Sequence, residues 1–92
     1  MLPKLIKTEY RGDYLVWLQF ADGVEGEVDL ESELWGDVFE PLKDKLLFAE
    51  FALDPELETV VWPNGADFAP EFLYQKLRPE YELKSAPRSG VA

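Results

Sequence analysis

Tyr14-Leu15-Val16-Trp17-Leu18-Gln19-Phe20, then Ala21-Asp22-Gly23, then Val24-Glu25-Gly26-Glu27-Val28-Asp29-Leu30: the pairing of these runs decides the fold. The first run is rich in aromatic and β-branched residues. The second alternates apolar with acidic, the period of a strand with one buried face. A loop of Asp22-Gly23 alone would set Val28 against Trp17. It would also put Glu25, Glu27 and Asp29 on the face of Val16, Leu18 and Phe20, which buries carboxylates in the core. With Ala21-Asp22-Gly23 as the loop and Gly23 left-handed, Phe20 faces Val24, Leu18 faces Gly26, Val16 faces Val28 and Tyr14 faces Leu30. That register keeps the acids out of the core and is the one expected. The same logic at Arg11-Gly12-Asp13 pairs Tyr10 with Tyr14, Thr8 with Val16 and Ile6 with Leu18, completing a three-stranded antiparallel meander.

This pairing leaves Trp17 on the outer face, flanked by Lys7 and opposite Glu27, with Glu25 and Asp29 nearby. An outward indole is covered either by a helix packed over the sheet or by a partner, since Trp is enriched among the residues that dominate protein interfaces. Arg11-Gly12-Asp13 invites a cell-adhesion reading, but a tripeptide match is weak and its residues suit a turn.

Further along, Asp37-Val38-Phe39-Glu40 suits one helical turn before Pro41 interrupts it. Asp44 can cap Lys45-Leu46-Leu47-Phe48-Ala49-Glu50, and these short helices are expected on the sheet. Phe51-Ala52-Leu53-Asp54, a turn at Pro55-Glu56-Leu57-Glu58 and Thr59-Val60-Val61-Trp62 read as a second hairpin. Pro70 suits the first position of a helix through Leu77, with Leu73 and Leu77 buried as an i,i+4 pair and Arg78-Pro79 as its stop. The class is α+β: an antiparallel sheet, meander plus hairpin, packed with two or three short helices. Residues 1–83 are expected to form one domain and residues 84–92, which lack apolar periodicity, a disordered tail.

The chain has 92 residues, 47% apolar with six Phe, four Tyr and three Trp, enough for one core. Nineteen acids against nine bases give a formal charge of -10, which repels nucleic-acid phosphates and anionic lipids. Direct nucleic-acid binding is therefore not expected, and neither is membrane association. Solubility accounts for such a charge; attraction to a basic partner protein is the sharper reading. There is no Cys, hence no disulfide or thiolate site, which fits a reducing compartment. The start, Met1-Leu2-Pro3-Lys4-Leu5-Ile6-Lys7, lacks the apolar core of a signal peptide, and no apolar run reaches the roughly 18 residues of a membrane span. A cytoplasmic protein is expected.

With no His, the commonest general base and metal ligand is missing, and with it any Ser-His nucleophile. No Gly-x-Ser-x-Gly elbow or glycine-rich phosphate loop occurs. Carboxylates remain, and Asp22, Asp29, Asp54 and Asp67 lie at strand ends or turns. Their spacing matches no calcium loop, so they read as turn formers and caps, with neither a cofactor nor a metal expected. A carboxylate enzyme using a divalent ion stays as the alternative to a binding module. The remaining candidate is the corner Trp62-Pro63-Asn64-Gly65-Ala66-Asp67. Pro63 fixes φ, Asn64-Gly65 tolerates positive φ, and Asp67 accepts backbone N–H groups or contacts a ligand. It is either a contact site or a tight turn.

Asp22-Gly23, Gly26-Glu27-Val28-Asp29-Leu30, Val38-Phe39-Glu40-Pro41-Leu42-Lys43-Asp44, Phe48-Ala49, Thr59 through Asp67 and Leu73-Tyr74, in that order, resemble the small bacterial domain of unknown function 2442. The resemblance implies a compact α+β domain without assigned catalytic residues. Some members carry a helix-turn-helix module, which does not follow here, so the sensory or oligomerising half of a transcriptional regulator is a further alternative. Members are often encoded beside other very small proteins, which implies a paired, antitoxin-like role. Members often place Asp before the proline of the last helix; this chain has Ala69, and Asp67 is expected to supply part of the missing cap. Together these readings point to an acidic interaction module, possible as a homodimer. It would contact a partner protein, basic by charge, through Trp17, Glu25, Glu27 and Asp29 and through Trp62, Pro63, Asn64, Gly65 and Asp67.

Overall fold

The computed structural model describes residues 4–79. The expected tail, 84–92, lies outside them. Three antiparallel strands, β1 (Leu5–Tyr10), β2 (Leu15–Phe20) and β3 (Glu25–Asp29), form a sheet in the order β1-β2-β3. A separate hairpin pairs β4 (Ala52–Asp54) with β5 (Thr59–Val61). Between them lie two 3-10 turns, Glu31–Glu33 and Glu40–Lys43, and the short helix α1 (Lys45–Phe48); α2 (Pro70–Leu77) follows the hairpin. The domain is α+β, as the strand and helix patterns imply.

The β2–β3 register is the expected one: Val16 faces Val28, Trp17 faces Glu27 and Leu18 faces Gly26. Phe20 N–H donates to Val24 O (2.8 Å), Leu30 N–H to Tyr14 O (3.0 Å), and Gly23 takes the positive φ the loop needs. Val16, Leu18, Phe20, Val28 and Leu30 are buried while Glu25, Glu27 and Asp29 stay in solvent.

The β1–β2 register differs from expectation by two residues. Tyr10 pairs with Val16, Thr8 with Leu18 and Lys7 with Gln19. Arg11 N–H donates to Leu15 O (3.0 Å), and the turn is Gly12-Asp13-Tyr14, with Gly12 and Asp13 both at positive φ. A two-residue slip preserves which face each side chain occupies, so the alternation alone does not distinguish the two pairings. A bulge between Leu5 and Lys7 then puts Leu5 opposite Phe20. Leu5 therefore takes the core position expected of Ile6, which is 48% exposed.

Pro41 does not interrupt a helix; it sits in the first turn of the 3-10 segment Glu40–Lys43, where its missing donor costs nothing. Asp44 caps α1 as expected, its Oδ1 accepting from Leu46 N–H (2.9 Å), but the helix ends at Phe48. Of its apolar residues, Phe48 is buried, whereas Leu46 is 81% exposed. Asp54 Oδ1 accepts from Glu56 and Leu57 N–H (2.8 and 3.0 Å) and shapes the β4–β5 turn. In α2, Leu73 is buried, Leu77 packs against the core and the helix stops at Arg78. Gly26 lets α2 come close: a Cβ there would stand 2.8 Å from Leu77 Cδ2.

The core lies on the inner face of the meander. Phe39 stacks on Phe68 (4.6 Å between centroids), Phe68 on Phe72 (5.5 Å), and Tyr74 meets Phe20 edge-on (5.1 Å). Each fully buried large side chain contributes on the order of 2–3 kcal/mol. No described helix is long and apolar enough to cross a membrane.

Candidate functional site

The outer face of the meander is a grid of three cross-strand rows: Lys7–Gln19–Glu25, Glu9–Trp17–Glu27 and Arg11–Leu15–Asp29. Trp17 sits at its centre, half-buried, between two carboxylate-bearing residues; Glu9, and not Lys7, is its neighbour on β1. Its cover is a guanidinium. Arg11 Cζ stands 5.6 Å from the centre of the Trp17 ring, and Arg11 Nε lies 2.9 Å from Glu9 Oε1. Cation and indole face attract through the ring quadrupole, and the salt bridge holds the cation in place. Lys7, Glu9, Glu25, Glu27 and Asp29 are all exposed. Asp29 also has a local duty, its Oδ1 accepting from Glu31 N–H (2.9 Å) at the end of β3.

The corner after β5 is built differently. Trp62 is 2% exposed, its ring packed among Phe48, Phe51 and Phe68, and its Nε1–H donates to Phe48 O (2.7 Å). A buried indole presents no face to a partner. Trp62 N–H donates to Ala66 O and Gly65 N–H to Trp62 O (both 2.9 Å), closing the turn with Gly65 at positive φ. Asn64 is the clamp: Oδ1 accepts from Ala66 N–H (3.0 Å) and Nδ2 donates to Val38 O (2.9 Å). Pro63, Asn64 and Gly65 are exposed, and Asp67 bridges to Val61 in strand fashion. Thr59 Oγ1 donates to Phe68 O (2.6 Å), so both sides of the corner are tied to buried chain.

The family model of the protein of unknown function DUF2442 matches residues 5–79. The chain belongs to the DUF2442 family. No curated protein and no solved structure matches it.

In this DUF2442 domain Asp22 ties the β2–β3 loop to the last helix. Its Oδ1 accepts from Val24 N–H (3.0 Å) and its Oδ2 from the Tyr74 hydroxyl (2.5 Å). The Tyr74 hydroxyl, with the backbone bond from Val24 second, holds the Asp22 carboxyl below its usual value. Asp67 does not cap α2: no side chain bonds the helix start at Ala69. Its carboxyl is instead pushed up by partial burial. Among the described residues no three His, Cys, Asp or Glu side chains group as metal ligands.

The structure thus brings together Trp17, Glu25, Glu27 and Asp29 on one face, and places Trp62, Pro63, Asn64, Gly65 and Asp67 in a separate corner. Sequence reasoning missed Glu9 and Arg11, whose place beside Trp17 depends on the β1–β2 register. A second feature it missed is a groove of about 480 Å³ between β1 and the β4 segment, walled on the far side by Phe51, Ala52 and Leu53.

Proposed function

We propose that this DUF2442 domain is a protein-interaction module whose outer sheet face receives a basic partner. The observation that carries the reading is Trp17 at the centre of that face, between Glu9 and Glu27 and covered by the Arg11 guanidinium (5.6 Å). An indole edged by carboxylates suits a guanidinium or ammonium from another chain, which would replace or extend the contact Arg11 makes. The charge of -10 would speed the encounter with a basic surface and weaken it in salt. A cysteine-free chain of this kind fits the cytoplasm. The corner is given no contact role, because its indole is buried and its polar groups bond within the chain.

The test is recovery of the tagged protein from its native extract at low and high salt, with mass spectrometry of what co-purifies. A stoichiometric basic protein is expected, lost at high salt and lost with Trp17→Ala or Glu27→Lys. Partners retained equally by both variants, or no partner at either salt, would refute the reading.

A further inference from the structure

We propose that Asn64-Gly65 is a site of covalent modification: Asn64 loses its amide nitrogen as ammonia when the corner opens, and the closed corner protects it. Asn64 is the single asparagine of the chain, and glycine follows it. With no side chain, glycine hinders least the approach of its own backbone nitrogen to the preceding side-chain carbonyl. Both residues are exposed, so water and hydroxide reach them, and the space beside Gly65 is open: a Cβ built there meets nothing within 4 Å. The reaction is redox-neutral. Gly65 N attacks Asn64 Cγ, the new N–C bond forms as the Cγ–Nδ2 bond breaks, and Nδ2 leaves as ammonia with the proton that the Gly65 nitrogen carried. Water then opens the cyclic imide at either carbonyl, giving an aspartate or an isoaspartyl link that lengthens the main chain by a methylene.

The folded corner opposes the first step at each reacting group. The attacking nitrogen is tied, because Gly65 N–H donates to Trp62 O (2.9 Å). The leaving nitrogen is tied, because Asn64 Nδ2 donates to Val38 O (2.9 Å). The carbonyl oxygen is tied as well, Oδ1 accepting from Ala66 N–H (3.0 Å) in an Asx-turn. Attack requires the Gly65 nitrogen to shed its proton and the amide to turn its carbon toward it, which breaks these bonds together. The products then hold the corner open. A carboxylate at this position has no N–H for Val38 O and sets a second acceptor against it. An isoaspartyl link adds length to a turn that the Trp62–Ala66 and Gly65–Trp62 bonds close tightly. Reaction therefore marks, permanently, each molecule whose corner has opened.

Mass spectrometry tests the proposal. The full chain is incubated at neutral pH, folded and in urea, and amide loss is followed by intact mass and located by peptide mapping. Loss at Asn64 is expected in both, about tenfold or more slower in the folded chain, because only opened molecules react. Pro63→Ala keeps the reactive pair and its three bonds but frees the opened chain, and is expected to raise the folded-state rate about twofold to fivefold while leaving the rate in urea unchanged. Asn64→Asp, which installs one product directly, is expected to lower the midpoint of thermal unfolding by a few degrees. Equal rates in the folded and urea-unfolded chain overturn the proposal, as does an Asn64 that stays intact in urea. An Asn64→Asp chain as stable as the parent would overturn the permanence of the mark.

Discussion

Two tryptophans, each in or beside a strand, have opposite fates in this domain. Trp62 directly follows β5, lies 2% exposed among three phenylalanines and donates its indole proton to Phe48 O. Trp17 lies mid-strand in β2, half in solvent, and is touched by Arg11. The first is scaffold and the second is surface. What separates them is the backbone around each: the corner after Trp62 folds its own polar groups inward and onto Val38, whereas the sheet around Trp17 has an open face.

Three substitutions sharpen that contrast. Trp62→Ala is expected to cost about 3–5 kcal/mol in chemical denaturation, enough to unfold much of a small domain, while Trp17→Ala costs about 1 kcal/mol or less. Similar losses at the two positions would break the distinction. Asn64→Ala removes both bonds of the clamp and is expected to cost about 1–2 kcal/mol in the same measurement, with partner recovery unchanged. A loss of partner binding without a loss of stability would instead make the corner a contact site.

The smallest effect is expected at Asp67. Partial burial raises its carboxyl above the ordinary value, so the folded state disfavours the charged form. The resulting penalty is fully present above the raised value. It disappears as pH falls toward the unfolded value, and is absent below that. Asp67→Asn should therefore raise the midpoint of thermal unfolding slightly at neutral pH, with the gain vanishing in acid through that window. A gain that persists in strong acid would exclude the carboxylate charge as its source.

The β2–β3 pairing was legible in the sequence because a one-residue slip would have buried three carboxylates, a cost large enough to decide the register. The β1–β2 pairing was not, because the alternatives differ by two residues and keep the same face. The turn also uses a left-handed Asp13, and the bulge exchanges Ile6 for Leu5. Asp44 as a cap and Pro70 as a helix start are local signals, and both held. The burial of Trp62 depends on Phe48, fourteen residues away, and Asn64 on Val38, twenty-six away; no local pattern encodes either partner. The same gap hid Arg11 and Glu9 beside Trp17.

The bond from the Trp62 indole to Phe48 O has a further consequence. An indole proton bonded inside the core meets water only when the packing between the Trp62 ring and the end of α1 opens, so its hydrogen-exchange rate reports that opening. The other two indoles, on Trp17 and the 53% exposed Trp35, lie nearer to solvent. The domain carries within itself, on one side chain, a clock for that opening.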